Sequence, residues 1–231
     1  MKVYAIGDLH LNGSRNKPMS IFGEKWHCHQ QKIEQNWSKK VGCDDIVAIP
    51  GDISWAMTLT EAADDLKWIH SLPGRKILVR GNHDYWWKKI THLNSLYEGM
   101  NFLQNNAVAV GDIWFAGSRG WLCPGSYAFQ EGDEKIYARE LLRLEMSLKS
   151  CNAESGQQII ALIHYPPVNE KHEPSGFTEL FEKYQVKRVL YGHLHDKKAF
   201  ENALIGEWQG VDYQLVSADF INFSPLLIEE L

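Results

Sequence analysis

The residues able to do chemistry in this chain are aspartates and histidines, and they fall in clusters. Asp8-Leu9-His10, Gly51-Asp52, Gly81-Asn82-His83-Asp84, His164 and Gly192-His193-Leu194-His195 are the clusters, and nearly all of them close a strand-like run at its carboxyl end. Oxygen and imidazole donors suit first-row metals such as Mn, Fe, Zn, Ni or Co, and no thiolate stands beside them to favour a purely structural zinc. Asp8 and His10 are two apart, as are His193 and His195, so wherever a strand persists each pair points to one face. Asp8, His10, Asp52, Asn82, His164, His193 and His195 are too many ligands for one ion. Two ions about 3.5–4 Å apart, sharing a carboxylate, would use them all and leave positions for water and substrate.

Each cluster alone has a plainer reading. A Gly-Asp after a strand is usually a turn whose Asp caps the next helix, and a single strand-end His is more often hydrogen-bonded filler. Their joint occurrence, in order and at strand ends, points to a metal centre. His27-Cys28-His29 is read as structural, because adjacent residues on a helix point in different directions. His70, His92 and His172 have no partner at ligand spacing and are read as surface residues. Trp55, Trp86, Trp87 and Trp121 lie near ligand clusters and are placed at the core edge, with stacking on a base or aryl group as the alternative. Arg119 carries a guanidinium able to grip phosphate, yet is read as a solvated loop arginine. Tyr165-Pro166-Pro167 stiffens the chain beyond His164.

The elements that must position these groups are short apolar strands. Lys2–Ile6, Ile46–Ile49, Lys76–Arg80, Ile159–Ile163 and Arg188–Tyr191 each run directly into a cluster or end one residue short of it. Between the first three lie predicted helices: Glu24–Lys40 with Trp26, Ile33 and Trp37 on one stripe and Gly42 as its stop, and a second one opened by Thr58 and Glu61 as a capping box. A third is expected over Trp87–Tyr97. Three rounds of strand, loop and helix argue for parallel neighbours with right-handed crossovers. Asn101–Val110 and Ile113–Ala116 read as a strand pair around Gly111-Asp112. Tyr137, Leu141, Leu144 and Leu148 recur at helical spacing and predict a helix over Asp133–Ser150. The tail from Ala199 to Ile228 reads as short β segments, and Asn12–Gly23 as a surface loop on the edge that carries Asp8.

Composition bounds the rest. Hydrophobic residues at 44% and charged residues at 23% of 231 are those of an ordinary globular chain. No linker or repeat divides it, so one domain is expected over residues 1–231. The net charge of −5 lacks the broad basic field that drives non-specific binding to duplex nucleic acid. Four widely spaced cysteines without a CxxC pair suggest neither a zinc ribbon nor a disulfide framework. No apolar run has the length of a membrane span or of a signal-peptide core, which makes the cytoplasm the expected location.

In their order and spacing the clusters resemble the calcineurin-like metallophosphoesterase family, over nearly the whole stretch from Asp8 to His195. The resemblance implies an α/β fold, a four-layer α/β/β/α sandwich with two mixed β-sheets, and a dimetal centre at the carboxyl ends of the strands. It assigns Asp8, His10, Asp52 and His195 to one ion and Asp52, Asn82, His164 and His193 to the other, with Asp52 bridging. His83 would face the leaving group as proton donor or charge stabiliser, with Asp84 orienting its imidazole. The implied activity is hydrolysis of a phosphodiester or phosphomonoester by in-line attack of a metal-bridging hydroxide, on a small and nucleotide-like substrate. The phosphoprotein phosphatases of the superfamily resemble GDxVDRG and GNHE, whereas this chain has Gly51-Asp52-Ile53-Ser54-Trp55-Ala56 and Gly81-Asn82-His83-Asp84. Its lipid A pathway pyrophosphatases carry Arg where this chain has His83. A non-catalytic protein-binding scaffold on the same fold is the alternative; such relatives lose ligands, and this chain keeps the full set.

Overall fold

A computed structural model of the chain describes residues 1–13, 18–154 and 156–230. Its strands are β1 (Lys2–Ala5), β2 (Ile46–Pro50), β3 (Arg75–Val79), β4 (Met100–Leu103), β5 (Ala107–Val110), β6 (Ile113–Ser118), β7 (Gln158–Ile163), β8 (Arg188–Tyr191), β9 (Gly206–Trp208), β10 (Val211–Leu215) and β11 (Leu226–Glu230). Its helices are α1 (His29–Lys40), α2 (Ala63–Ser71), α3 (Ile90–Leu93), α4 (Asp133–Lys149), α5 (Gly176–Lys183) and α6 (Lys197–Glu201). One sheet has the order β11-β1-β2-β3-β4 and the other β5-β6-β7-β8-β10-β9. Both are mixed: β11 is antiparallel to β1, β5 to β6 and β9 to β10, while the central strands are parallel.

Successive side chains on a strand point to opposite faces, and the core divides accordingly. Ile46 and Ala48 of β2 join Ile160 and Leu162 of β7 between the sheets. Val47 and Ile49 face outward onto Ile33 and Trp37 of α1 and Leu66 and Ile69 of α2. Ile159, Ala161 and Ile163 face the other way, onto Leu144 and Leu148 of α4 and Phe177 and Phe181 of α5. The result is the four-layer sandwich, helices outside and two mixed sheets inside. Near-continuous apolar strands are what burial on both faces demands.

Several expected elements are re-cut. The helix expected over Glu24–Lys40 is a 3-10 turn at Glu24–Trp26 followed by α1, because Cys28 takes a left-handed conformation, φ 52°, between them. Its carboxyl end caps at Val41 rather than Gly42. The helix expected over Trp87–Tyr97 shrinks to α3, since Trp86 and Trp87 pack into the outer core against Phe102 instead of tracking a helical stripe. The run Asn101–Val110 breaks at residues 104–106 and crosses between sheets: β4 is parallel to β3, and only β5 pairs with β6. The Thr58–Glu61 signal does form its bonds, Glu61 N to Thr58 Oγ1 at 3.3 Å and Met57 N to Glu61 Oε2 at 2.9 Å, but one turn ahead of α2. Within the loop expected over Asn12–Gly23, Met19–Phe22 is a 3-10 turn with Met19 buried, and residues 14–17 lie outside the described residues. Among the described residues no helix is long and apolar enough to cross a membrane.

Candidate metal centre

The donors sit where the parallel strands end: Asp8 and His10 after β1, Asp52 after β2, Asn82 and His83 after β3, His164 after β7, and His193 and His195 after β8. That edge is where ligands bind in open α/β sheets. Asp8 and His10 do not share a face through strand alternation, because β1 has already ended at Ala5. Instead Asp8 (φ 54°), His10 (44°), Asp52 (51°) and His193 (75°) all adopt left-handed backbone. Each such residue costs on the order of 1–3 kcal/mol and persists only when its surroundings over-determine it.

Cross-bonds between the loops supply that determination. Asp8 N donates to Gly51 O, His10 N to Asp52 O, Gly192 N to His164 O and His164 N to Arg119 O. Asp52 Oδ1 accepts from His83 N at 2.8 Å, and both oxygens of Asp8 accept from His193 N at 3.1 Å. Two glycines make the approach feasible: a Cβ on Gly81 would collide with Asp52 N and Oδ1, and one on Gly192 with Asp8 Oδ2.

The donor atoms converge in one chain of short distances. His193 Nδ1 lies 3.0 Å from Asn82 Oδ1 and 3.2 Å from His164 Nε2, which is itself 2.7 Å from Asn82 Oδ1. Asp52 Oδ2 is 3.5 Å from His164 Nε2, 3.8 Å from His10 Nε2 and 3.9 Å from His83 Nε2. His10 Nε2 lies 3.2 Å from His195 Nε2, which is 3.5 Å from Asp8 Oδ1. Asp8, His10 and His195 converge as one potential cation site, and Asp8, Asp52 and His164 as another.

The donor set fits cations. His164 Nδ1 faces Pro50 O at 3.1 Å, so its proton belongs there and its Nε2 lone pair is turned on an amide oxygen and a carboxylate. Acceptors facing acceptors in a buried site are costly unless a positive charge lies between them. Burial holds His10 and His164 below the ordinary histidine range, and burial, with repulsion from any proton on neighbouring His164, takes His193 to about 3, so these imidazoles are neutral donors. Burial and then the Asp8 charge push Asp52 up to about 8. Burial opposes charge on Asp8, yet His195, His164 and His10 hold it below the usual carboxylate range. Burial also opposes charge on His195, and Asp8 and Asp219 overcome it to give about 10.

At pH 7 the cation-free centre therefore keeps protons on Asp52 and His195. Metal loading at that pH is expected to release about two protons per chain, with affinity rising as pH climbs toward 8. Calorimetry in buffers of different ionisation enthalpy reads the number; no proton release would contradict the ligand assignment.

Asp219, at the end of the β10 excursion, was not among the expected residues. Its Oδ1 faces His195 Nδ1 at 3.0 Å, and its Oδ2 faces Lys25 Nζ at 2.6 Å. A carboxylate behind a ligating imidazole fixes ring and tautomer. Asp219→Asn is expected to weaken metal binding about 10–100-fold, read by chelator competition. The signal was a carboxylate closing another strand, with no neighbouring cluster to mark it.

Two expected roles change. Both oxygens of Asp84 are taken by backbone and Trp86: Oδ1 accepts from Ile53 N, Ser54 N and Trp86 Nε1, and Oδ2 from Gly81 N at 2.7 Å. The carboxylate thus ties the Asp52 loop to the Gly81 turn instead of orienting His83; burial and then the Asp52 charge push it up to about 6. Arg119 is not a solvated loop residue: its side chain is 13% exposed, 3.3 Å from Glu140 and stacked 4.4 Å over the Trp121 ring. His70 and His92 are exposed, as expected. His29 is buried, its Nε2 3.1 Å from Leu9 O, which fits the structural reading of residues 27–29.

Known proteins share this fold. The crystal structure of a phosphopantetheinyl hydrolase from Mycobacterium tuberculosis superposes with a TM-score of 0.58 at 12% identity, over 98% of this chain and 95% of that one. A protein of unknown function from Aquifex aeolicus gives 0.55 at 16% identity over the same shares. At such identities the likeness is one of fold. Among curated proteins, the gene 66 protein of Mycobacterium phage L5 is 38% identical over 77 residues, covering 33% of this chain and 37% of the phage protein. Its counterpart in Mycobacterium phage D29 is 43% identical over 56 residues, 24% of this chain and 28% of that protein. The chain thus matches about a third of the length of these curated relatives. The family model of calcineurin-like phosphoesterases matches residues 1–197. With that match, and with the expected donors drawn together at the strand ends, the chain belongs to the calcineurin-like phosphoesterase family.

Proposed function

We propose that the chain is a dimetal-dependent phosphodiesterase acting on a small, nucleotide-like phosphoester. The observation that carries this is the position of Asp52 Oδ2, within 3.5 to 3.9 Å of His164, His10 and His83 nitrogens at once. A carboxylate there can be shared by two cations. Asp8, His10 and His195 would complete one site, and Asn82, His164 and His193 the other. The ions, when bound, supply an acidified water and a positive clamp on the phosphoryl oxygens.

The protein's own groups do the rest. His83, with a side chain 34% exposed, presents Nε2 beside Asp52 and is placed to give a proton to the departing oxygen. The strained loops hold the donors before substrate arrives, so little reorganisation remains. Among the described residues the cations nearest the donors are engaged, Arg119 with Glu140, Lys25 with Asp219 and Arg80 through Nε with Asp84 O, and this favours a diester over a monoester. A monoester dianion would gain more from a free guanidinium than a diester monoanion would.

The test is hydrolysis of bis-p-nitrophenyl phosphate beside p-nitrophenyl phosphate by stripped protein reloaded with Mn²⁺, Ni²⁺, Zn²⁺ or Mg²⁺. Metal-dependent turnover with the diester ahead supports the proposal. Turnover of the monoester alone would make the chain a phosphatase, and a loaded protein inert toward both would favour a binding scaffold.

A further inference from the structure

We propose that the cleft beside the candidate metal centre is a subsite for a flat aromatic leaving group, a nucleobase or aryl ring, which selects the diester to be cut. This rests on the phosphodiesterase proposal above and names the substrate class of the same site.

The cleft encloses about 470 Å³, room for a nucleoside-sized group. Met19, Phe22, Trp26 and Trp55 wall it, and His10, His83 and His195 form the end that meets the donors. The Trp55 ring is stacked on His10 at 5.0 Å and 21°, and its centroid is 4.2 Å from that of His83. Trp26 meets His10 and His195 edge-on, at 5.8 Å in each case. Planar walls set by such contacts are rigid, and a rigid planar wall favours a planar guest.

Among the described residues of the lining, polar recognition is sparse. Trp55 Nε1 is spent on Met19 Sδ at 3.2 Å. Asp196, the acid of the lining, caps α6 by accepting from Ala199 N at 3.0 Å, and its charge repels an anionic leaving group. Lys25 is held by Asp219. Stacking on such a surface tolerates different bases, because every base has a π face.

Trp55 differs here from its neighbours. Trp86 is fully buried, Trp87 is 7% exposed, and Trp121 is bonded to Asp133 and stacked under Arg119. Those three seal core edges, as the sequence suggested for all four. Trp55 is only partly buried and looks into the cleft. Phe22, which lines the cleft, is 54% exposed, a large apolar side chain in water beside a polar centre, as a binding surface presents. The leaving side is assigned by His83: a donor to the departing oxygen must stand on that oxygen's side, and His83 lines this cleft.

The test compares two methyl phosphodiesters with the same 5′-oxygen as leaving atom, one on adenosine and one on 1-O-methylribose, using metal-loaded full chain. The expected result is a kcat/KM preference of about 10–100-fold for the adenosine ester, largely lost in Phe22→Ala with metal content unchanged. Equal rates for both esters, each metal-dependent, would overturn the subsite and leave the phosphodiesterase intact. An equal preference for a saturated ring of the same size would replace a flat-ring site by a general apolar groove and overturn it too. If neither ester is cut, the phosphodiesterase proposal fails, and equilibrium binding of adenosine 5′-monophosphate against ribose 5-phosphate decides the subsite alone. Tighter binding of the nucleotide, weakened by Phe22→Ala, would support it; equal binding would overturn it.

Discussion

Asp52→Asn is expected to lower kcat at least roughly 10³-fold while leaving the metal-free protein as stable as before or more so. The loss follows from position: one carboxylate oxygen faces ligands of both proposed ions, and a shared charge worth several kcal/mol of transition-state stabilisation converts to about three decades in rate. The amide can still accept from His83 N through the oxygen that replaces Oδ1, so the loop keeps its bond. The stability side has the opposite sign. Burial and the Asp8 charge raise the Asp52 carboxyl from 3.8 to about 8, so between those values the folded chain holds a proton that the unfolded chain has lost. Wild-type metal-free protein is therefore destabilised as pH rises through that window, by on the order of a few kcal/mol. The variant escapes that penalty. Denaturant unfolding at pH 5 and pH 8, with bound-metal analysis, checks both halves; a variant that binds metal normally and turns over normally would remove Asp52 from the centre.

His83→Ala is expected to cut kcat by about 10²–10⁴-fold, or about 3–5 kcal/mol, with the metals still bound. His83 is outside both groups of converging cation ligands among the described residues, and its backbone N–H, which bonds Asp52, survives the substitution. The deficit is expected to shrink for leaving groups that depart without a proton. A diester of p-nitrophenol, whose oxygen leaves readily as an anion, is thus affected less than an alkyl diester. Stopped-time assays on both esters with metal content measured in parallel separate the two roles. Loss of metal together with activity would make His83 a ligand, and an equal deficit on both esters would deny it the proton.

The contrast between these substitutions reflects what sequence can carry. Ligands announced by uninterrupted apolar runs were legible: Ile46–Ile49 before Gly51-Asp52 and Ile159–Ile163 before His164 state both strand and exit point. Residue type cannot announce backbone conformation, so the two-residue spacing of Asp8 and His10, and of His193 and His195, suggests strand alternation where Asp8, His10 and His193 are in fact left-handed. Arg119 was misjudged because Glu140, its partner, comes from the body of α4 and reaches it only through the fold. Asp84 was placed by adjacency to His83, whereas its bonds run to residues 53 and 54 across the sheet edge. Asp219 stood alone in Ser217-Ala218-Asp219, and only the pairing of β10 with β8 brings it behind His195. Local runs of burial are written in consecutive residues; long-range electrostatic partners are not.

The proposed phosphodiesterase activity depends on two cations held at Asp52. That dependence is tested most directly by titrating chelator-stripped protein with Mn²⁺ while following bound metal and bis-p-nitrophenyl phosphate hydrolysis in the same samples. The predicted result is that turnover appears as the second equivalent binds, and that Asp52→Asn neither takes up that equivalent nor turns over. Hydrolysis by the stripped protein, or full activity with a single ion bound, would contradict it.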